Sequence, residues 1–163
     1  MMTDWIRRVM TRDLTALGTQ IEAYANEGDI WRLVPGIGNS AGTLALHIAG
    51  NIQHYIGAQF GGTGYVRDRD AEFTTRGVPR AQLLELVARA DSALQVGFDA
   101  IDDGVLDDTY PLDLGGVTLS TGQTLLHLAA HLAYHVGQVD YHRRIVTGAG
   151  AVAGMQSTSK LVD

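Results

Sequence analysis

The chain has 163 residues, of which 45% are hydrophobic and 18% are charged, a composition typical of one globular domain with a single core. The net charge of −6 and the single lysine, Lys160, exclude a nucleic-acid-binding protein, because phosphate binding depends on clustered cations. The lack of cysteine excludes disulfides and thiolate ligands, and the lack of an apolar leader or a run of about 18 apolar residues predicts a cytoplasmic protein without a membrane span.

Two helices are predicted in the first 60 residues. Apolar residues recur every three or four positions over about residues 4–27, which predicts an amphipathic helix that a Gly-Asp pair ends. A connector rich in glycine follows and leads to Asn39 and Ser40, both good N-cap residues. They predict a second helix that runs through His47 to about Phe60.

A long loop and a third helix come next. The residues from Thr63 to Val78 are charged and aperiodic, which predicts a loop, and loops of this length in a compact domain are usually functional or mobile. Pro79 then suits the first position of a helix whose apolar stripe continues to about Ile101.

A second connector, residues 102–119, separates the third helix from the fourth. Its end, residues 116–119, allows a short extended piece but does not support a strand. Ser120 followed by Gln123 matches a capping box, which predicts the start of a fourth helix that Gly148 ends.

Together, these patterns predict the fold class. Four helices without a convincing strand indicate an all-α protein, and we expect an antiparallel four-helix bundle in one domain over residues 1–148. The C-terminal tail, residues 149–163, is rich in small residues, and we expect it either to fray or to pack on a partner.

All six histidines lie on two of the predicted helices: His47 and His54 on the second, and His127, His131, His135 and His142 on the fourth. At about 100° per residue the last four share one face, and at a rise of about 1.5 Å only His127 with His131, or His131 with His135, can bind one ion. His47 is the natural third ligand of a site that keeps one position open. The alternative is that these histidines only pack in the core, with their ring nitrogens hydrogen-bonded to the protein. For His54 and His142 we expect either such packing or a hydrogen bond that supports a metal ligand.

Further polar side chains on the fourth helix are interpreted from the same helical wheel. Gln138 lies about 20° from His131 and can reach a bound water or substrate. Asp140 points away from the histidines, which excludes it as a fourth ligand. Arg143 and Arg144 are expected to complement the negative end of the helix dipole.

The histidine segments resemble those of the DinB-like superfamily, also called YfiT-like metal-binding bundles. LALHIAGN in the second helix and HLAYHVGQ in the fourth have the order and separation of that family, and HIAGN with YVRDRDAEF resembles an uncharacterised subgroup. The resemblance implies an up-down-down-up four-helix bundle, frequently a homodimer. It also implies a zinc, nickel or similar divalent ion on His47, His131 and His135.

The resemblance also bears on the surroundings of the site and on function. It implies that Asn51, Arg67, Arg69 and Glu72, in addition to Gln138, lie near the pocket. The alternative for the charged segment is a solvated loop. Some relatives are thiol-dependent S-transferases or isomerases that use mycothiol or bacillithiol. We therefore expect a metal-dependent enzyme acting on a small molecule, as a thiol S-transferase or hydrolase, or else a non-enzymatic, stress-associated dimeric module with a structural ion. No catalytic residue follows from the sequence.

Overall fold

The computed structural model describes residues 1–162, and this part of the chain is all-helical, as predicted. Its α-helices are α1 (Met2–Glu22), α2 (Ala41–Ile52), α3 (Arg69–Thr74), α4 (Arg80–Asp99) and α5 (Thr121–Thr147). A π-helical turn, Gln53–Ala58, continues α2, and single 3-10 turns occupy Glu27–Trp31, Asp103–Val105 and Thr158–Leu161. None of the helices in the described residues is both long enough and apolar enough to cross a membrane.

The helices enclose one connected core of buried apolar side chains. Helix α1 packs against α4 and α5, and α2 packs against the same two helices and against α3. The most buried core residues of the long helices include Leu17, Ile21, Ile48, Ile52, Leu94, Leu125, Leu132 and Val139. Because α2 packs against α5, the two helices that carry the histidines come into contact.

The predicted ends of α5 are confirmed. The Ser120 hydroxyl accepts a hydrogen bond from the Gln123 backbone N–H, and the Gln123 side chain accepts one from the Ser120 N–H, which completes the capping box. Gly148 ends the helix with a φ of 70°, a conformation that favours glycine, and its N–H donates to the Arg144 carbonyl. The predicted cap of α2 is confirmed as well, because the Ser40 side chain accepts from the Thr43 N–H.

Helix α1 is shorter than predicted. It ends at Glu22, about five residues before the end expected from the apolar pattern. The pattern continues because Tyr24 and Ile30 are fully buried from backbone that is not α-helical. The apolar pattern therefore extends beyond the end of the helix, because the residues that follow are also buried in the core.

The prediction of one long loop over residues 63–78 is wrong, because this segment contains α3. The Asp68 side chain accepts a hydrogen bond from the Ala71 N–H and caps the helix. Six residues are too few to show an apolar period, and a helix this short depends on packing, here against α2. Its Glu72 side chain is buried.

The expectation that Arg143 complements the helix dipole stays a prediction, but the structure shows further contacts of this side chain. Its side chain is buried, with Nε donating to Gln20 Oε1 at 2.6 Å and Nη2 donating to the Gly150 carbonyl at 2.8 Å. The tail packs on α1 of its own chain, where Gln156 Nε2 donates to Asp13 Oδ1 at 3.1 Å. Arg143 thus joins the start of the tail to the bundle.

Candidate metal centre

Three histidine rings meet where α2 packs against α5. The Nε2 atom of His131 lies 3.2 Å from that of His47 and 3.0 Å from that of His135. One nitrogen from each ring lies within 4.8 Å of the other two. A tetrahedral zinc ion, with Zn–N distances of about 2.0–2.1 Å, holds its nitrogen ligands about 3.3 Å apart. Two of the three N···N separations therefore match those of a zinc site, and the third is no more than 4.8 Å, so the three rings could hold a metal ion.

The two helices position the rings in different ways. His131 and His135 are one turn apart on α5, so their rings meet edge to face with centroids 4.5 Å apart. Both are half-buried, whereas His47 on α2 is only 7% exposed. The site therefore lies at the boundary between the core and the surface, where an ion is partly shielded from water.

Hydrogen bonds to the outer ring nitrogens determine which ring atoms carry protons. His47 Nδ1 lies 2.9 Å from Glu72 Oε2, and His135 Nδ1 lies 2.7 Å from Gln138 Oε1. Both oxygens accept, so each Nδ1 donates, and a neutral ring of this tautomer presents a lone pair at Nε2. His131 Nε2 faces both lone pairs and can donate to only one. At least one short N···N contact lacks a proton, and a bound cation satisfies all three nitrogens at once.

The environment of His131 and His135 favours the neutral form of both rings. Burial, together with the neighbouring His135 and His47, lowers the pKa of His131 to about 4. Burial also lowers the pKa of His135, although the hydrogen bond with Gln138 opposes this effect. Neutral imidazole is the form that binds a metal, so these rings do not need to lose a proton to bind at neutral pH.

Glu72 is a buried carboxylate behind His47. Arg67 Nε donates to its Oε1 at 2.7 Å and Arg67 Nη2 donates to its Oε2 at 2.8 Å. Burial opposes ionisation of Glu72, but the hydrogen bonds from His47 and Arg67 outweigh it and lower the pKa of the carboxyl group. Metal-ligating histidines usually donate their second N–H to such a group. The alternative of a solvated charged loop therefore does not hold for Arg67 and Glu72.

Gly50 makes room for this carboxylate on α2. A Cβ atom at this position would overlap Glu72 Oε1 and lie 2.8 Å from Glu72 Cδ. Because Glu72 is held by both His47 and Arg67, it cannot simply swing away. Gly50 in the HIAGN segment and Glu72 in the RDRDAEF segment are therefore in direct contact, and the position of the carboxylate depends on the glycine.

The remaining histidines lie outside the cluster. Of the two pairs that helical spacing allowed, His131 and His135 are the pair that meets His47. His127 is exposed, and its ring is stacked beside that of His131 at a centroid distance of 6.0 Å. His54 lies on the π-helical turn, where its ring packs against that of Tyr55.

His142 and Asp140 also lie away from the cluster. The ring of His142 is buried, with Nδ1 2.6 Å from the Tyr24 hydroxyl and Nε2 2.7 Å from the Arg32 carbonyl. Its role is in packing. Asp140 forms an ion pair with Arg144 at 3.3 Å and is not a ligand of the cluster.

A cavity of about 470 Å³ adjoins the site, and His47, Asn51 and Arg69 are among its lining residues. Neither Asn51 nor Arg69 hydrogen-bonds to the three rings within the described chain. Tyr55 and the turn at residues 114–117 also form the wall, and neither was predicted from the sequence. The Gly-Gly pair inside that turn was the available signal, because it is typical of a tight hairpin.

The fold and site define an all-helical protein with a three-histidine cluster that can hold a metal ion. The chain belongs to the family described as "Protein of unknown function (DUF1572)", whose family model matches residues 4–151. The matched region includes α2 to α5, nearly all of α1 and the three histidines of the cluster. The comparisons with curated proteins and with solved structures found no match.

Proposed function

We propose that this protein is a DinB-like metal-binding protein in which His47, His131 and His135 hold one divalent ion, zinc or nickel. The observation that carries the proposal is the convergence of three Nε2 atoms, two of them on rings held from behind by Glu72 and Gln138. The packing of α1 and α2 against both α4 and α5 supports the up-down-down-up four-helix bundle of that superfamily.

The protein acts, in this proposal, as an enzyme on a small molecule, of the thiol S-transferase or hydrolase type. Three protein ligands leave a fourth position open, which is typical of catalytic rather than structural zinc sites. When bound, the ion supplies Lewis acidity that favours a thiolate or hydroxide near neutral pH. Glu72 orients His47 and offsets part of the positive charge, Gln138 orients His135, and the cavity beside His47 gives a substrate access.

A non-enzymatic, stress-associated dimeric module with a structural ion is the second candidate, and one observation favours a dimer. Four large apolar side chains of α5 are each more than half exposed, and their spacing places them in a stripe along one face: Leu126, Tyr134, Tyr141 and Ile145. We propose that this stripe pairs two copies of the chain in a homodimer, whichever function applies.

Metal titration of untagged, chelator-treated protein tests the ligand assignment. We expect one zinc or nickel ion per chain by calorimetry and elemental analysis. Replacing His47, His131 or His135 by alanine should weaken binding by more than about 100-fold, because the residues that merely support ligands account for about 10–100-fold. His127→Ala is the matched control. Equal loss in the control, or no stoichiometric binding by the unaltered protein, contradicts the proposal.

Chelation and turnover assays separate the two functions. For an enzyme, we expect the metal-free protein to keep its helical circular dichroism and to regain turnover of thiol and electrophile substrates when metal is added back. For a structural module, we expect metal removal to unfold the helices and no turnover across the substrate panel. His131→Ala serves as the control for turnover caused by free metal in solution.

A further inference from the structure

Both apolar and polar side chains line the cavity beside His47. The apolar lining includes Leu114, Val117, Leu119 and Leu128. The polar lining includes Asn51 and Arg69, and no carboxylate of the described residues lines the cavity. Acidic side chains outnumber basic ones in the whole chain, 18 to 12, so a cavity without acidic groups departs from the general charge of the protein.

Asn51 is a buried polar side chain without a partner in the described part of the chain. The residue is only 7% exposed, and its amide makes no hydrogen bond to any described residue. The amide still contacts solvent, because it is not among the fully enclosed side-chain atoms that lack a hydrogen bond. Since Asn51 lines the cavity, its amide can hydrogen-bond to a ligand there in place of water.

Arg69, which is exposed, gives the cavity a positive charge that forms no ion pair with a carboxylate of the described residues. The neighbouring Arg67 is paired with both oxygens of Glu72, so its charge is already offset. Arg69 has no carboxylate within ion-pair distance among the described residues, and its guanidinium lies 5.0 Å from the ring centroid of Phe73. The ring holds the guanidinium in place but leaves its N–H donors for an anion.

The apolar wall is held in place before any ligand binds. Leu114 and Val117 exchange two backbone hydrogen bonds of 3.0 and 3.1 Å around a two-glycine turn. The buried Tyr110, in the same connector, donates its hydroxyl to the Tyr55 carbonyl at 2.6 Å. A preformed wall reduces the entropy that must be lost on binding.

We propose that this cavity binds a small organic anion, a carboxylate joined to an apolar chain or ring. Arg69 pairs with the carboxylate, Asn51 hydrogen-bonds to the ligand, and the wall around Leu114 and Val117 covers its apolar part. The cavity volume of about 470 Å³ suits a small molecule. This inference deepens the proposed function, because the cavity opens beside His47, and it names the class of substrate.

Calorimetric titration with three matched probes tests the inference: 4-phenylbutyrate, 4-phenylbutan-1-ol and 4-phenylbutylamine, which share a body and differ in charge. We expect 4-phenylbutyrate to bind at least about tenfold more tightly than the alcohol, a difference of about 1.4 kcal/mol, and the amine not to bind. Arg69→Gln should abolish the preference for the carboxylate, and Asn51→Leu should weaken binding. Arg89→Gln, which removes an exposed arginine elsewhere, should change nothing.

Each titration is carried out on both the metal-free and the zinc-loaded protein. Equal affinity for the three probes, an unchanged preference in Arg69→Gln, or no binding of 4-phenylbutyrate to either form overturns the inference. The outcome is separate from that of the metal proposal, because the metal-free titration does not need zinc. Arg69→Gln should still bind zinc with unchanged stoichiometry, whereas a chain that binds no zinc contradicts the proposed function alone.

Discussion

His47 and Glu72 form a buried hydrogen bond of 2.9 Å across 25 residues of sequence. It joins α2 to the short helix α3 and sets the orientation of one of the three converging rings. Because the carboxylate also accepts two hydrogen bonds from Arg67, the order of the charged segment and the geometry of the site depend on each other.

Glu72→Gln should weaken zinc binding by about 10–100-fold, the usual effect of removing a carboxylate that supports a histidine ligand. It should also lower the free energy of unfolding, because Arg67 would lose its ionised partner. Competition titration with a zinc indicator and urea unfolding measure the two effects. Glu85→Gln, in an exposed ion pair with Arg89, is the control. An affinity unchanged in Glu72→Gln would show that Glu72 does not support the site.

Gly50→Ala should both destabilise the fold and weaken zinc binding. The added Cβ would overlap the Glu72 carboxylate, and overpacking of this kind costs about 1–3 kcal/mol. Gly137→Ala is a matched control, because a Cβ atom added to that helical glycine would meet no described neighbour within 4 Å. The control should be neutral or stabilise by up to about 1 kcal/mol. Similar losses in both variants would argue against a specific contact at Gly50.

The stability of the metal-free protein should fall as the pH drops below about 6.5, in part through His142. Burial lowers the pKa of His142 below its ordinary value of 6.5, so the unfolded chain binds a proton more readily than the folded one. Its contribution is complete above pH 6.5 and is lost as the pH falls towards the folded pKa. Urea unfolding between pH 7 and 5 should show a weaker pH dependence for His142→Gln than for the unaltered protein. Parallel curves would contradict the assignment, since the other histidines are common to both.

Asp103 should act as the N-terminal cap of α1. Its carboxylate accepts from the backbone N–H groups of Met2 and Thr3 at 2.8 and 2.9 Å, and the local residue, Met1, provides no side-chain cap. Asp103→Asn should therefore increase amide hydrogen exchange over the first turn of α1 and lower the melting temperature. Asp107→Asn, an exposed acid in the same connector, should do neither. Unchanged exchange in Asp103→Asn would count against a cap across the fold.

The features that could be predicted from sequence depend on local chemistry. The capping residues Ser40 and Ser120, and the stop at Gly148, act through hydrogen bonds within one turn of the chain, and all three occur as predicted. Helix α3 could not be predicted in this way. Its six residues show no apolar period, and the contacts of Glu72 with Arg67 and α2 hold it in place.

The candidate site shows the same division. Spacing along α5 limits the pair to His131 with either His127 or His135, because a helix has a fixed rise and turn. The choice of His135 depends on which turn of α5 lies opposite His47, and that is set by the packing of two helices. Gly50 and Asn51 belong to one motif, but the close approach of Gly50 to Glu72 and the position of Asn51 in the cavity lining depend on how the helices pack.

An anomalous-scattering map, collected across the zinc and nickel edges on crystals grown without added metal, would show directly whether His47, His131 and His135 bind one ion. We expect one peak per chain, about 2.0–2.1 Å from the Nε2 atoms of His47, His131 and His135. A peak at other residues, or no peak even after the crystals are soaked in zinc and nickel, would rule out a metal site at these three histidines.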